Sequence, residues 1–328
     1  MKLGSLKSGG RDGTLIVLSR DLARAAPAGD IAPTLQAALD DWDRNAAALR
    51  QRYEDLEQGC ASGAFALKVE DLAAPLPRAY QFLDGSAYLA HVERVRRARG
   101  AEMPPSFLTD PLMYQAVSDG FLPPVGTIPV ASEEFGMDFE SEVCVITDDV
   151  PMGVTAAEAA DHVLLLCLVN DVSLRNLIPA ELGKGFGFLQ SKPRSALSPA
   201  MVTPDELGDA WHDGKLHLPL VTCLDGERFG EPEAGADMQF SFYELISHAA
   251  RTRPLAAGTI IGSGTVANQD ESRGASCLAE KRMLEIIRDG RATTPFLSFG
   301  ARVRIEMLDR AGHNIFGSIE HVYEPYRR

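Results

Sequence analysis

The sequence predicts an α+β, β-rich fold, with a small N-terminal β/α unit over residues 1–75 and a larger β-dominated unit over 76–328. Three observations carry this. The chain opens on "LGSLKSGGRDGTLIVLS", where a Gly-Gly-Arg-Asp-Gly turn separates two short strand-like runs, the pattern of a hairpin. A helical stretch follows over about 33–58, with Leu35, Leu39, Trp42, Ala46 and Leu49 at helical spacing and a stop before Gly59. From about residue 125 onward, short apolar stretches bounded by turn residues dominate, broken by a few helices. The proline-bearing "LAAPLPRAYQF" (72–82) reads as the connector between the two parts.

Composition bounds the function. With 45% hydrophobic and 24% charged residues, the 328-residue chain reads as an ordinary soluble globular protein. A formal net charge of −14 argues against a nucleic-acid partner and against an anionic membrane surface. The longest apolar run, "HVLLLCLV" (162–169), is too short to span a bilayer. The opening "MKLGSLKSGGRDG" has no apolar core of the signal-peptide kind, so the cytoplasm is the expected location. Five scattered cysteines without a CxxC spacing suggest neither zinc nor a disulfide framework.

The candidate chemistry begins after Asp84. In "LDGSAYLAHVERVRRARG", Ser86 is a candidate N-cap, and Tyr88, His91, Val92 and Val95 form an inward stripe at i, i+3, i+4 and i+7. Arg94, Arg96, Arg97 and Arg99 fall mostly on other faces. By the stripe alone, His91 reads as a core histidine. Imidazole is also the side chain whose pKa lies nearest working pH, which leaves a general base as the second reading.

In "MDFESEVCVIT" (137–147), Glu140 and Glu142 project from one strand face, about 7 Å apart along the chain. Either that face is wet or a cation sits there. A second stretch, "VLLLCLVNDVSLRN" (163–176), reads as a buried strand that ends on Asn170 and Asp171, with Arg175 close behind; Thr155 and Glu158 form a capping box before it. Two strand glutamates and an aspartate are hard oxygen ligands, a set for Mg²⁺, Mn²⁺ or Ca²⁺ and not for zinc. Lys184 and Lys192 follow in a Gly/Pro/Ser-rich loop, where a lysine beside a metal could hold an anionic oxygen. "LAAGTIIGSGTVANQ" (255–269) lacks GxGxxG, and its Gly264-Thr265 turn suits the close approach of backbone amides to a ligand.

Taken in this order, the E-S-E strand, "NDVSLRN", a lysine ahead of Ser198-Pro199 and "GSGTV" resemble the fumarylacetoacetate hydrolase family over about 80–325, and the opening hairpin and helix resemble the N-terminal domain of its two-domain members. The resemblance implies a mixed β-roll catalytic domain, a homodimer and a divalent metal, Mg²⁺ foremost, on Glu140, Glu142 and Asp171. Asp84, seven residues before His91, matches a fourth ligand preceding the catalytic histidine. Lys192 is implied at the substrate's anionic oxygen, with Lys184 as the alternative, and Thr265 beside Gly264 as a substrate contact. Glu280 is implied as the histidine's partner, with Glu93 as the alternative. Arg175 is expected at the substrate or bracing Asp171. The implied reaction is hydrolysis of a C–C bond in a small anionic 1,3-diketo acid, in aromatic amino-acid catabolism. Decarboxylation, tautomerisation or hydration of a 2-hydroxydienoate within the same family is the alternative.

Overall fold

The computed structural model describes residues 1–97 and 102–327. Among these, two mixed sheets dominate, so the chain is α+β and β-rich as predicted. The larger sheet has 11 strands. From one edge it runs through Phe65–Ala66, Arg24–Pro27, Thr14–Leu18, Lys2–Leu6, Met201–Val202, Val163–Asn170, Ser141–Thr147, Ile260–Gly262, Phe82–Gly85 and Met113–Ala116. Ala196–Leu197 branches from the 163–170 strand. The smaller sheet has five strands: Glu227–Gly230, Leu220–Leu224, Arg302–Met307, Ile319–Pro325 and Val125–Val130.

The opening hairpin is continuous with the larger sheet, because Lys2 pairs with Val202 and Leu3 with Met201. The expected helix over 33–58 forms as two pieces, Leu35–Leu39 and Trp42–Glu57. Asp40 is the C-cap of the first piece and Asp41 the N-cap of the second, so the helical stripe continues across a break.

Strand 141–147 explains why its residues do not alternate. All seven are buried, since the sheet is covered on both faces. Val143 and Val145 belong to the core shared with the smaller sheet and the helix Phe242–Ala249. Cys144 and Ile146 belong to the second core, with Leu35, Leu39 and Leu49 from the N-terminal helices. Phe82 and Val169 lie on that same second face. Strand alternation therefore puts Asp84, Glu142 and Asp171 on it too, at the strand ends beyond the N-terminal helices.

Register brings those ends together. Asn170 pairs with Ser141 and Val169 with Glu142 in an antiparallel ladder. Gly262 pairs with Cys144 on one side and, in parallel, with Asp84 on the other. Two helices flank this corner: Leu89–Arg97, which begins three residues after the expected Ser86 cap, and Leu278–Asp289. The Thr155–Glu158 capping box forms as read.

Candidate active site

Glu140 and Glu142 do not face water. Glu142 is wholly buried and Glu140 nearly so. Asp84, Glu142 and Asp171 offer carboxylate oxygens that all lie within 4.8 Å of one another. Neither oxygen of Glu142 has a hydrogen-bond partner among the described residues. Asp84 accepts the Gly264 N–H at 3.1 Å, so the Gly-Thr turn does bring a backbone amide to the cluster. Asp171 accepts the Tyr114 hydroxyl and the Ser195 hydroxyl, each at 2.7 Å. Lys192 donates to Asp171 as well, and to Glu140 at 2.5 Å.

Glu140 stands slightly apart from that trio, held by two cations. Arg175 donates to it at 2.6 Å, opposite Lys192. Arg175 also donates to the buried Asp138 at 2.8 Å, so it braces Glu140 and Asp138 and not Asp171, contrary to expectation. Asp138 in turn accepts the backbone N–H groups of Leu278 and Ala279, tying the start of helix 278–289 to the glutamate strand.

The electrostatics are unbalanced. Burial pushes the Asp84 carboxyl up to about 8, and the charge of Asp171 adds to it. Burial pushes Glu142 well above the carboxylate range, reinforced by Asp84 and Asp171. Burial would raise Glu140 too, but Arg175 and Lys192 outweigh it and hold that carboxyl low. Burial works against the Lys192 ammonium, yet Asp171 and Glu140 keep it charged. A buried, all-oxygen cluster whose central Glu142 has no donor among the described residues fits a hard divalent cation.

Across the cavity, His91 Nδ1 lies 2.8 Å from Glu280. Glu280 is wholly buried, and its other oxygen accepts Arg94 at 2.5 Å. Arg94 therefore does not point elsewhere: it turns inward because a buried carboxylate needs a countercharge. Its second N–H group donates to the Asn268 carbonyl at 2.7 Å. Glu93 faces Arg97 at 3.9 Å and is half-exposed, away from His91.

One cavity of about 550 Å³ joins the two sets; Asp84, His91, Glu140, Glu142, Arg175, Lys192, Gly264 and Thr265 all line it. Lys184 does not. It sits exposed in the glycine-rich loop after the short helix Ile178–Leu182, where positive-φ Gly185 and Gly187 carry the chain outward. Residues 1–70 contribute nothing to the lining or to the carboxylate cluster. Sequence reading missed Asp138, Arg94, Tyr114 and Ser195. The first two were in reach, since Asp138 stands two residues before Glu140 and Arg94 lies one turn beyond His91.

Residues 81–322 match the family model described as fumarylacetoacetate (FAA) hydrolase C-terminal. The chain belongs to the fumarylacetoacetate hydrolase family. Residues 1–78 match the model for fumarylacetoacetase N-terminal domain 2. A Burkholderia lata protein with a provisional hydrolase name is 28% identical over 159 residues, which are 48% of this chain and 53% of that protein. The chain spans about half the length of the curated relatives it matches. Maleylpyruvate hydrolase from Sphingobium has the same fold, with TM-score 0.66 at 14% identity over 99% of this chain and 100% of that one. So does 5-carboxymethyl-2-hydroxymuconate delta-isomerase from Mycobacterium smegmatis, with TM-score 0.59 at 16% identity over 100% of both chains.

Proposed function

We propose that this family member is a divalent-metal-dependent hydrolase that cleaves the C–C bond between the carbonyls of a small 1,3-diketo acid. One observation carries the reading: Asp84, Glu140 and Glu142, the last with no donor among the described residues, line the same cavity as His91, which Glu280 holds from behind. Asp84, Glu140, Glu142 and Asp171 would hold the ion, with Mg²⁺ the first candidate among hard cations and Mn²⁺ and Ca²⁺ behind it. Bound there, the ion would supply Lewis acidity toward the substrate's keto-enol oxygens.

The chain's own groups divide the remaining work. With Nδ1 against Glu280, the His91 proton sits on Nδ1 and the Nε2 lone pair is free to take a proton from water. Glu280, itself held by Arg94, stabilises the imidazolium that forms. The hydroxide adds to the distal carbonyl, and collapse of that adduct breaks the C–C bond. The electron pair passes to the departing enolate, whose oxygen the Lys192 ammonium stabilises. The proton on Nε2 then returns to the departing carbon, which gives a carboxylic acid and a smaller keto acid. A decarboxylase or tautomerase on the same scaffold does not require a water-activating pair, and this favours hydrolysis over them.

The test is product analysis by mass spectrometry on acylpyruvates, fumarylacetoacetate and oxaloacetate, with Mg²⁺ and with EDTA. Two carboxylic-acid products from a diketo acid, formed only with metal, are expected. Loss of CO₂ from oxaloacetate as the main activity would overturn the reading. A homodimer and a cytoplasmic location belong to the same proposal. No helix among the described residues is long and apolar enough to cross a membrane.

A further inference from the structure

Part of the cavity lining is mostly apolar. On helix 278–289, Ala279, Arg282, Met283 and Ile286 recur at i, i+3, i+4 and i+7 and belong to it. Val92 and Val95 face them from helix 89–97, and Phe296 adds a further apolar surface. In this setting stands one guanidinium. Arg175 and Lys192, the other permanent cations of the lining, each bridge two carboxylates. Arg282 makes no ion pair among the described residues. It lies over the Phe296 ring, 4.2 Å from the centroid, and donates one N–H to the Thr294 carbonyl. The carboxylate one turn along its helix, Glu285, is taken by Thr293 and Thr294.

A guanidinium carries five N–H donors in a planar fork that matches a carboxylate. Stacking on Phe296 and the bond to Thr294 fix that plane in advance, which lowers the entropic cost of engaging an anion. The remaining donors have no acceptor among the described residues, in a cavity wall that is otherwise apolar here. On a chain of net charge −14, an arginine left in this state inside the active-site cavity is a vacancy for an external anion.

We propose that Arg282 is a specificity-determining residue that receives the second carboxylate of a diacid substrate, across a short hydrocarbon spacer seated on Val92, Val95, Met283 and Ile286. This rests on the diketo-acid reading and extends it. The substrate class becomes a diketo diacid, in preference to a diketo monoacid with an alkyl tail.

Binding without turnover tests it. Fumarate and crotonate share a skeleton, with a methyl group replacing one carboxylate in crotonate. By calorimetry on Mg²⁺-loaded protein, fumarate is expected to bind about tenfold to a hundredfold tighter than crotonate, the range for a charge-assisted pair. Arg282→Gln should bring the two within about threefold, and Arg282→Lys should keep part of the preference, because it preserves charge but not the fork. Equal binding by the native protein, or an undiminished preference in Arg282→Gln, overturns the proposal. A lost fumarate preference in Arg282→Gln, on a protein that cleaves no diketo acid, sustains the subsite and sinks the hydrolase reading. Cleavage with an unchanged fumarylpyruvate-to-acetylpyruvate ratio of kcat/KM in Arg282→Gln does the reverse.

Discussion

Glu142 is the residue with most to say about this site, because it is wholly buried and both of its oxygens lack a donor among the described residues. A carboxylate in that state destabilises the protein unless a cation joins it. In EDTA, Glu142→Gln should therefore melt higher than the native protein, by roughly 2–6 °C for a chain of this size. Adding Mg²⁺ should raise the native melting temperature and leave the variant's unchanged. A native protein indifferent to Mg²⁺ would count against a metal site. His91 makes a different prediction. His91→Ala should keep Mg²⁺ affinity by calorimetry but lose turnover by about 10²–10⁴, the worth of a positioned acid–base group. A near-normal rate on the substrate selected by product analysis would reject water activation by the imidazole.

At the scale of elements, the site is a meeting of strand ends held by two close fits. The first is the turn after strand 260–262. Gly264 has φ +75°, and a Cβ there would lie 2.3 Å from the Gly85 carbonyl oxygen, beside Asp84. Gly264→Ala should cost about 2–4 kcal/mol in urea unfolding, from backbone strain plus a contact that must open. It should also weaken Mg²⁺ binding, since the Gly264 amide that holds Asp84 moves with it. The second is Asp138, which joins the glutamate strand to the start of the Glu280 helix and to Arg175. Burial pushes its carboxyl up, while Arg175 opposes the shift. Asp138→Ala would leave Arg175 short of a partner in a buried place. It should cost about 3–5 kcal/mol by the same measurement, as breaking a buried ion pair does.

For the whole molecule, His321 reports on acid stability. It is buried in strand 319–325 and lies 2.9 Å from the Pro123 carbonyl. Burial lowers its pKa from 6.5 to about 4. The unfolded chain therefore takes up a proton that the folded one refuses between those values. Stability is full above pH 6.5 and falls as the pH drops toward 4, by up to about 3 kcal/mol. His321→Gln, which can keep the bond to Pro123, should flatten that part of a urea-midpoint against pH curve. Removal of the opening hairpin is a second global test. It strips strand 201–202 of one of its two partners and uncovers Leu165, Cys167 and Met201, so it should produce aggregation, visible by light scattering, more than an altered rate in what stays folded.

What the sequence determined alone was local. Turn residues, apolar runs, the two-residue spacing of the glutamates and helical period located the hairpin, the glutamate strand, the strand ending in Asn170-Asp171 and the inward stripe of His91, because these depend on spacing along one element. The residues proposed for the site could be named because each stands in such an element or in a short motif. Tertiary structure decided the rest, and the reason is pairing at long range. Tyr114 and Ser195 meet Asp171 across 57 and 24 residues, and neither lies in a pattern that announces it. Glu280 and not Glu93 meets His91, because helix 278–289 packs on helix 89–97 with its buried first turn toward the imidazole. Arg94 turned inward for the same carboxylate, and Lys192 entered the cavity while Lys184 stayed in solvent, since charge in a buried place goes where a countercharge already waits.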